Sequence, residues 1–520
     1  MTQKTEVNAA GRTVPAEING KPAVPFKGVD KHQPDGRKVG PPLPRCADYP
    51  PSGDKRVGSI RAALERCGLK DGMCIGTHHH FRNGDLVANA VMDAAAELGV
   101  KGLTWAPSAS FPCHAPNVRH LESGLLDHIE GSMNGPLGAF CSAGKMRGMG
   151  VLRSHGGRFQ AIQDGDLHID VAVLAAPTAD WFGDANGVQG PSACGPLGFG
   201  LADSLYADRV IVVTDHLVPF PCVPWEIQGN NVDYVVEMER VGDPAKIVSG
   251  TTEITKSPDR HLLAEYVARF VAAAGIMKEG FSFQAGAGGT ALAFAIYLKE
   301  LMQEAGVKAR FIRGGSTKYL VEMLEEGLTD YILDGQTFDL AGVASMRDNP
   351  AHVPTSPFTS YNFHSKGNFA SMVDATVLGA TEVDVNFNAN VVTHSDGVLL
   401  HGIGGWQNCL YSGCTILAVP SFRDRIPVIV DEVTTLCGPG ELIDVVATER
   451  GIAINPRRED LIAATAGSGL PIKPIEQIKA EVEAMVGGPP DRPELGDKIV
   501  AAIKWVDGTV IDGVRQSLEL

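Results

Sequence analysis

Two stretches of this sequence follow the same design, and they lie in different halves of the chain. Residues 70–85 read KDGMCIGTHHHFRNGD and residues 278–289 read KEGFSFQAGAGG, and an apolar-periodic segment typical of a helix follows each. Their glycines correspond as Gly72 with Gly280, at an offset of 208 residues, and as Gly99 with Gly306, at an offset of 207 residues. Because the register persists through the helical segment, the sequence predicts two domains that arose by duplication.

Short runs rich in valine and isoleucine alternate with helical segments in both halves. Examples are VAVLAA and RVIVVT in the first half and TILAVP and DVVAT in the second. Such runs are typical of buried parallel strands. The predicted fold class is therefore α/β, with two similar open sheets, a first domain at residues 51–245 and a second at residues 246–520. In such sheets, ligands bind at the carboxyl ends of the strands.

The first 50 residues differ from the rest because prolines are dense there. Nine prolines stand among the first 51 positions, and proline removes backbone donors and blocks helix interiors. We expect a Pro-rich N-terminal arm at residues 1–50 rather than a domain. The composition leaves open whether it is a flexible leader or an ordered strap across the first domain or a partner.

Charge and cysteine usage exclude several classes of protein. The net charge is −16, which disfavours binding to nucleic acid or an anionic membrane, since both need excess Lys and Arg. The ten cysteines form no CxxC pair, the first residues lack the apolar core of a signal peptide, and no apolar run approaches the length of a membrane span. We therefore expect a protein of the reducing cytoplasm that binds neither nucleic acid nor a membrane.

The three adjacent histidines, His78, His79 and His80, resemble a metal site but lack its spacing. Adjacent side chains point in different directions, and neither Cys nor a carboxylate stands at helical ligand spacing from them. We expect no metal there. Since the histidines occupy the first-domain counterpart of the loop QAGAGG, they are candidates for binding an anionic acid, the alternative being ordinary loop or core histidines.

The glycine-rich loops are candidates for holding phosphate or a developing oxyanion with backbone N–H groups. GAGG at residues 286–289 lacks the spacing of a dinucleotide fingerprint or a P-loop, so neither nicotinamide nor ATP is supported. GIGG at residues 402–405 follows the strand-like run VLLH. Tight turns alone would also explain these glycines.

Three long segments carry a resemblance to a known family. They are HSDGVLLHGIGGWQN (394–408), GGSTKYLVEMLEEGLTDYILDGQTFD (314–339) and residues 413–460, which begin GCTILAVPSFRDRIPVIVDEV. With them the chain resembles citrate lyase alpha subunits over nearly its whole length, and more widely the coenzyme A transferases. That resemblance implies two similar open-sheet coenzyme A transferase-type domains, in agreement with the duplication.

The resemblance also implies an activity, partners and a thiol carrier. Citrate would replace the acetyl group of an acetyl thioester, giving acetate and a citryl thioester. A beta subunit would cleave that product, and a gamma subunit, an acyl carrier protein, would bear the coenzyme A-like prosthetic group, with acetyl-CoA as its soluble analogue. No cofactor would be tightly bound to this chain. A citramalate- or malonate-specific relative, a thioester hydrolase and a non-catalytic ligand-binding module remain alternatives.

The family chemistry nominates site residues by their motifs. Glu322, in the pattern Glu-Met-x-x-x-Gly, is similar to the glutamate that attacks the thioester in some coenzyme A transferases, although the citrate lyase branch implies direct attack by citrate. The thioester arm and its oxyanion are assigned to Gly286, Gly288, Gly289, Gly402, Gly404 and Gly405. Citrate is assigned to His78, His79, His80 and cations among Arg82, Arg313, Lys318, Arg347 and Lys366.

Overall fold

The computed structural model describes residues 3–34, 52–247, 253–286 and 288–520. Residues 35–51, which contain part of the predicted Pro-rich arm, lie outside the described residues.

The first half of the chain alternates short strands and helices, as the sequence predicts. In chain order the elements are β1 (Thr5–Val7), β2 (Thr13–Pro15), β3 (Glu17–Ile18), β4 (Lys21–Pro22), β5 (Arg56–Val57), α1 (Ile60–Arg66), β6 (Cys74–Thr77), α2 (Val87–Glu97), β7 (Leu103–Pro107), α3 (Val118–Ser123), β8 (Leu126–Ile129), α4 (Pro136–Ser142), β9 (Gly150–Leu152), α5 (His155–Asp164), β10 (Val171–Ala176), β11 (Thr178–Asp180), β12 (Ala185–Asn186), α6 (Leu201–Tyr206), β13 (Arg209–Thr214), β14 (Leu217–Val218) and β15 (Tyr234–Glu237).

The second half repeats the alternation and ends in a long hairpin. Its elements are α7 (Pro258–Ala273), β16 (Phe281–Ala285), α8 (Gly289–Ala305), β17 (Ala309–Ser316), α9 (Lys318–Glu325), β18 (Thr329–Thr337), α10 (Leu340–Asp348), β19 (His352–Pro354), α11 (Pro357–Tyr361), β20 (Ala375–Leu378), β21 (Glu382–Asp384), β22 (Ala389–Asn390), α12 (Trp406–Cys409), β23 (Thr415–Ala418), β24 (Phe422–Arg423), β25 (Ile426–Pro427), β26 (Ile429–Val430), β27 (Val445–Thr448), β28 (Gly451–Ile454), α13 (Glu459–Thr465), α14 (Ile475–Val486), β29 (Leu495–Lys504) and β30 (Val510–Ser517).

The two large sheets have corresponding strand orders. The first is seven-stranded and parallel in the order β5-β15-β13-β10-β6-β7-β8, and the second is eight-stranded in the order β19-β18-β17-β16-β20-β23-β27-β28. When β6 is aligned with β16, the next two strands on one side correspond as β10 with β20 and β13 with β23. The histidine loop follows β6 and the QAGAGG loop follows β16. The two loops therefore occupy equivalent places in sheets of the same topology.

A glycine with a positive φ stands at the end of the helix that follows each of these two loops. Gly99 follows α2 with φ of 75° and Gly306 caps α8 with φ of 64°, a left-handed conformation that side chains with a Cβ rarely adopt. The two glycines matched by sequence offset therefore both provide the left-handed backbone conformation at the end of a helix.

The N-terminal arm and the C-terminal hairpin pack on each other. The Asn8 side-chain amide donates hydrogen bonds to the carbonyl oxygens of Val510 and Ile511 at 3.0 and 2.7 Å. Strand β29 pairs in parallel with β9 of the first half, with Ala501 opposite Gly150. The described part of the arm is thus an ordered strap, and the last residues of the predicted second domain pack with the first half.

Apolar residues of both halves meet in one large core. Trp105 of the first half, Trp406 of the second and Trp505 of the hairpin belong to the same cluster, while a second core fills the far side of the second sheet. This shared core fixes the two halves against each other, so that side chains from both can line one cleft.

Candidate functional site

A cleft of about 1030 Å³ opens at the carboxyl ends of the central strands of the second sheet. Its floor is formed by residues at the carboxyl ends of β16, β17, β18 and β20, as expected for a parallel sheet. The first half contributes Arg82, His155 and Phe199 to the lining. The cleft thus lies between the two halves of the chain, at the carboxyl ends of the strands.

All six predicted glycines line this cleft. At some of these positions a side chain would clash with the protein, and at others it would not. A Cβ on Gly402 would lie 2.3 Å from the Cβ of Ser132, and one on Gly405 would lie 2.4 Å from the Tyr361 hydroxyl, so the GIGG loop needs glycine for its own packing. A Cβ on Gly288 would meet nothing within 4 Å. At that position the space is left to whatever occupies the cleft.

Arg82 is the predicted cation that lines the cleft. Its Nη1 donates to the carbonyl oxygen of Ile247 at 3.2 Å, and its guanidinium lies 4.7 Å from the centre of the Phe338 ring. Burial lowers the pKa of Arg82 to about 10, so the group stays charged at neutral pH.

Arg313 lies just behind the cleft wall and is almost completely buried, at 2% exposure. Its guanidinium donates to the side-chain oxygen of Gln284 and stacks 4.3 Å from the centre of the Tyr361 ring, with the Cys409 sulfur 4.0 Å away. All three neighbours line the cleft. Burial raises the pKa of Tyr361 to about 12, so its phenol is neutral and does not balance the arginine.

Within the described ranges, no carboxylate lies within ion-pair distance of Arg313. A buried charge without a counterion is unfavourable by roughly several kcal/mol. The site is therefore prepared for an anion that arrives with a ligand.

The three adjacent histidines are buried behind the cleft rather than exposed in it. His78, His79 and His80 are exposed by 4%, 2% and 2%. The Nδ1 atom of His79 lies 2.6 Å from the Ser108 hydroxyl, and the rings of His78 and His80 stack at 5.6 Å. Burial lowers the pKa of all three far enough to keep them neutral.

The described part of the chain contains one convergent trio of metal-ligating side chains, formed by His168, Asp170 and Asp208. It does not include the three adjacent histidines. His168 and Asp208 are exposed, with their side chains 44% accessible, and they hydrogen-bond to each other at 2.9 Å.

His155 is a cleft residue that sequence reasoning missed. It begins α5, its backbone N–H donates to the carbonyl oxygen of Gly404 at 2.8 Å, and its ring lies 5.1 Å from the ring of His79 and 4.5 Å from that of Phe199. Burial, followed by the charge of Arg158, lowers the pKa of His155 to about 3. A lone histidine at the start of a helix carries no local signal that a loop about 250 residues away will meet it.

Two further arginines at the cleft were also missed. Arg260 and Arg423 both line it and are half-buried. Arg423 donates to the carbonyl oxygens of Thr381 and Ala380 at 2.8 and 2.7 Å, and burial together with the charge of Arg260 lowers its pKa. The carboxylates that line the cleft, Asp396 and Asp424, are both exposed.

The structure does not bring Glu322 into the cleft. This residue lies on the outer face of α9, where its carboxylate is 50% exposed and 3.9 Å from the Lys299 amine, and it lines a separate groove of about 330 Å³. The amphipathic pattern of α9 places Leu320, Val321, Met323 and Leu324 inside and Glu322 outside.

The remaining predicted cations are also away from the cleft. Lys318, Arg347 and Lys366 are exposed and do not line it. Arg347 forms an ion pair with its neighbour Asp348 at 2.7 Å, and the Lys318 amine lies 5.0 Å from the centre of the Tyr319 ring. Their positions beside the family motifs in sequence do not make them neighbours in space.

Two open α/β sheets of matching strand order that share one cleft, lined by glycine backbone and guanidinium groups, define a transferase of the coenzyme A transferase type. The family model for the citrate lyase alpha subunit matches residues 53–517. The chain belongs to the citrate lyase alpha subunit family and is a transferase, and an alpha subunit is by nature one part of a multi-subunit complex.

Individual relatives agree with this assignment. The citrate lyase alpha chain of Escherichia coli K12 is 40% identical over 89% of this chain and 91% of its own length, and that of Klebsiella pneumoniae is 40% identical over 89% of this chain and 91% of its own length. A solved structure described as an alpha subunit of citrate lyase from Streptococcus mutans in complex with citrate is 42% identical, with a TM-score of 0.92, and covers 98% of this chain and 100% of that one.

The same fold occurs in more distant proteins. The alpha subunit of a malonate decarboxylase from Acinetobacter baumannii has a TM-score of 0.60 at 17% identity, covering 82% of this chain and 86% of that one. Within the described ranges, none of the helices combines the length and apolar composition that crossing a membrane requires.

Proposed function

We propose that the cleft binds citrate beside an acetyl thioester and transfers the thiol carrier from the acetyl group to citrate. The observation that carries this proposal is the composition of the cleft. Glycine loops of the second half face Arg82 of the first half, and among the described residues no carboxylate pairs with Arg313 behind the wall. Such a wall suits a substrate that is itself a polycarboxylate and brings its own nucleophile.

Arg82 binds one carboxylate of citrate directly, and Arg313, behind the wall, adds positive charge to the site. Both guanidiniums are almost fully buried, at 7% and 2% exposure, so that a carboxylate bound to Arg82 is removed from competing water and the charge of Arg313 is weakly screened. Arg82 can fix one carboxylate of the acid and the charge of Arg313 attracts a second, which leaves a third free to react. This arrangement favours citrate over a malonate- or citramalate-specific relative, which would present one carboxylate fewer.

The thiol carrier enters along the glycine loops. Gly288 is the N-cap of α8, a helix start whose backbone N–H groups suit an anionic ligand, and a Cβ at this glycine would meet nothing within 4 Å. Arg260 and Arg423 supply positive charge for the phosphates of a coenzyme A-like arm. We infer that the arm belongs to an acyl carrier protein, the gamma subunit, with acetyl-CoA as analogue. No cofactor is held permanently by this chain.

The exchange needs no nucleophile from the protein. A citrate carboxylate oxygen bonds to the acetyl carbon while the carbonyl electron pair moves to oxygen, and collapse of this tetrahedral species expels the thiolate and leaves an acetyl-citryl anhydride. The thiolate then attacks the citryl carbon and the bond to acetate breaks, giving citryl thioester and acetate. No proton is transferred, and the oxyanion must be stabilised twice.

Glu322 has no part in this sequence of steps, because its exposed position on α9 gives it no access to the cleft. The beta subunit receives the citryl thioester and cleaves it. We place the complex in the cytoplasm, in keeping with the scattered reduced cysteines and the acidic charge.

A single-turnover experiment with citrate labelled by ¹⁸O in its carboxylates tests both function and route. Purified chain, acetyl-CoA and labelled citrate should yield citryl-CoA, and the released acetate should carry one ¹⁸O atom from the anhydride bridge. A route through a protein glutamate would leave the label in the protein in the first turnover. If a panel of di- and tricarboxylates gave no acyl-CoA product, the proposed transfer would be wrong.

A further inference from the structure

We infer that His155 is a catalytic residue of the transfer, and that its Nε2–H donates a hydrogen bond to the acyl oxygen as negative charge develops there. This inference rests on the proposed function, because it assigns one donor of the oxyanion site in that same cleft. It concerns a residue that the sequence motifs do not mark.

The position of the ring is the first observation. His155 lines the cleft, and a Cβ built on Gly404 would lie 3.8 Å from its Nε2 atom, so this nitrogen faces the GIGG loop from the opposite half of the chain. The backbone N–H of His155 is bonded to the Gly404 carbonyl oxygen at 2.8 Å. Ring and loop are therefore held together as one unit at the cleft.

The ring is also held in a single orientation. The centre of the His155 ring lies 5.1 Å from that of the His79 ring, with 17° between the two planes. It also lies 4.5 Å from the centre of the Phe199 ring. His79 is itself fixed by the Ser108 hydroxyl at 2.6 Å. The adjacent histidines thus position His155 and do not contact the substrate.

The ring nitrogens of His155 are available to a ligand. Among the described residues, neither nitrogen of His155 has a hydrogen-bond partner, and neither is fully buried. A stacked imidazole with one free N–H directed at an open cleft is a preorganised donor, and such a donor needs no reorganisation as charge develops on an acyl oxygen.

The protonation state fits a donor and excludes a base. Burial, and then the neighbouring charge of Arg158, keep the imidazole neutral at physiological pH. A nitrogen this weakly basic accepts no proton at neutral pH, and the carboxylate exchange has no proton to transfer. What the reaction requires is stabilisation of the oxyanion in both addition steps, which a neutral N–H supplies.

The test compares His155→Phe, which keeps the stacking, with His155→Gln, which keeps a neutral N–H donor. We expect His155→Phe to lower kcat by about 10²-fold or more, with the KM values for citrate and acetyl-CoA changing by less than about threefold, and His155→Gln to recover part of the loss. His364→Phe is the matched control, because His364 pairs with Asp164 at the other end of α5 and does not line the cleft.

Two results would overturn the inference. One is a kcat for His155→Phe within a few-fold of the wild type, and the other is a rise in KM at unchanged kcat, which would make His155 a ground-state binding residue. If His155→Phe does not fold, the carbonyl stretch of bound ¹³C-acetyl-CoA decides, since it should lie at lower frequency in the wild type than in His155→Ala, which has no donor. Wild-type turnover tests the proposed function separately, so the two failures are distinguishable.

Discussion

Replacing Arg313 by methionine should weaken citrate binding without weakening the fold. The guanidinium is 2% exposed and contacts the neutral side chains of Gln284, Tyr361 and Cys409. Removing one buried positive charge several ångströms from a bound carboxylate costs roughly 1.5 to 3 kcal/mol at an effective dielectric constant of about 20, which corresponds to a 10- to 150-fold higher Kd for citrate. Removing the uncompensated buried charge should offset the lost contact with Gln284, so the melting temperature of the free protein should stay or rise.

Thermal unfolding with and without citrate measures both effects. At a citrate concentration 100 times the wild-type Kd, binding stabilises the wild type by about 2.7 kcal/mol. A 100-fold weaker variant would gain only about 0.4 kcal/mol at that concentration, so its citrate-induced shift should almost disappear. Arg310→Met is the matched control, since Arg310 lies three residues earlier on the same strand and is exposed. A variant that melts earlier but keeps the full citrate shift would refute the assignment.

Three further predictions concern other parts of the molecule. Glu322→Gln should leave turnover nearly unchanged, and mass spectrometry of the wild type with acetyl-CoA alone should show no coenzyme A adduct; a stoichiometric adduct on Glu322 would reverse our mechanism. Gly402→Ala should lower the melting temperature because its Cβ would meet Ser132, whereas Gly288→Ala should melt as the wild type does and raise the KM for acetyl-CoA; equal melting of both would contradict this explanation. Because burial lowers the pKa of His80 to about 3, below its value in the unfolded chain, this group alone should cost the wild type up to about 1.4 kcal/mol of stability per pH unit as pH falls below 6.5. His80→Asn should therefore show a shallower loss in melting scans.

The predictions that rest on patterns within a single strand or helix agree with the structure. The α/β class follows from apolar runs such as Val171–Ala176, whose residues are all buried, and from helices that end at Gly99 and Gly306. These signals depend on side-chain period and backbone preference within one element. The glycines of the cleft were found for the same reason, since a loop after a parallel strand lies at the ligand edge wherever the sheet sits.

The sequence by itself determined the α/β elements and the loops that reach the cleft; the tertiary structure alone decided which polar side chains meet there. Glu322 carries the family motif but faces outward on α9, while His155 carries none and meets Gly404 from the other half of the chain. The hairpin strand β29 likewise pairs with β9 although some 350 residues separate them. Contacts over such separations depend on how whole sheets pack, and a residue's own neighbours in sequence carry no record of that packing.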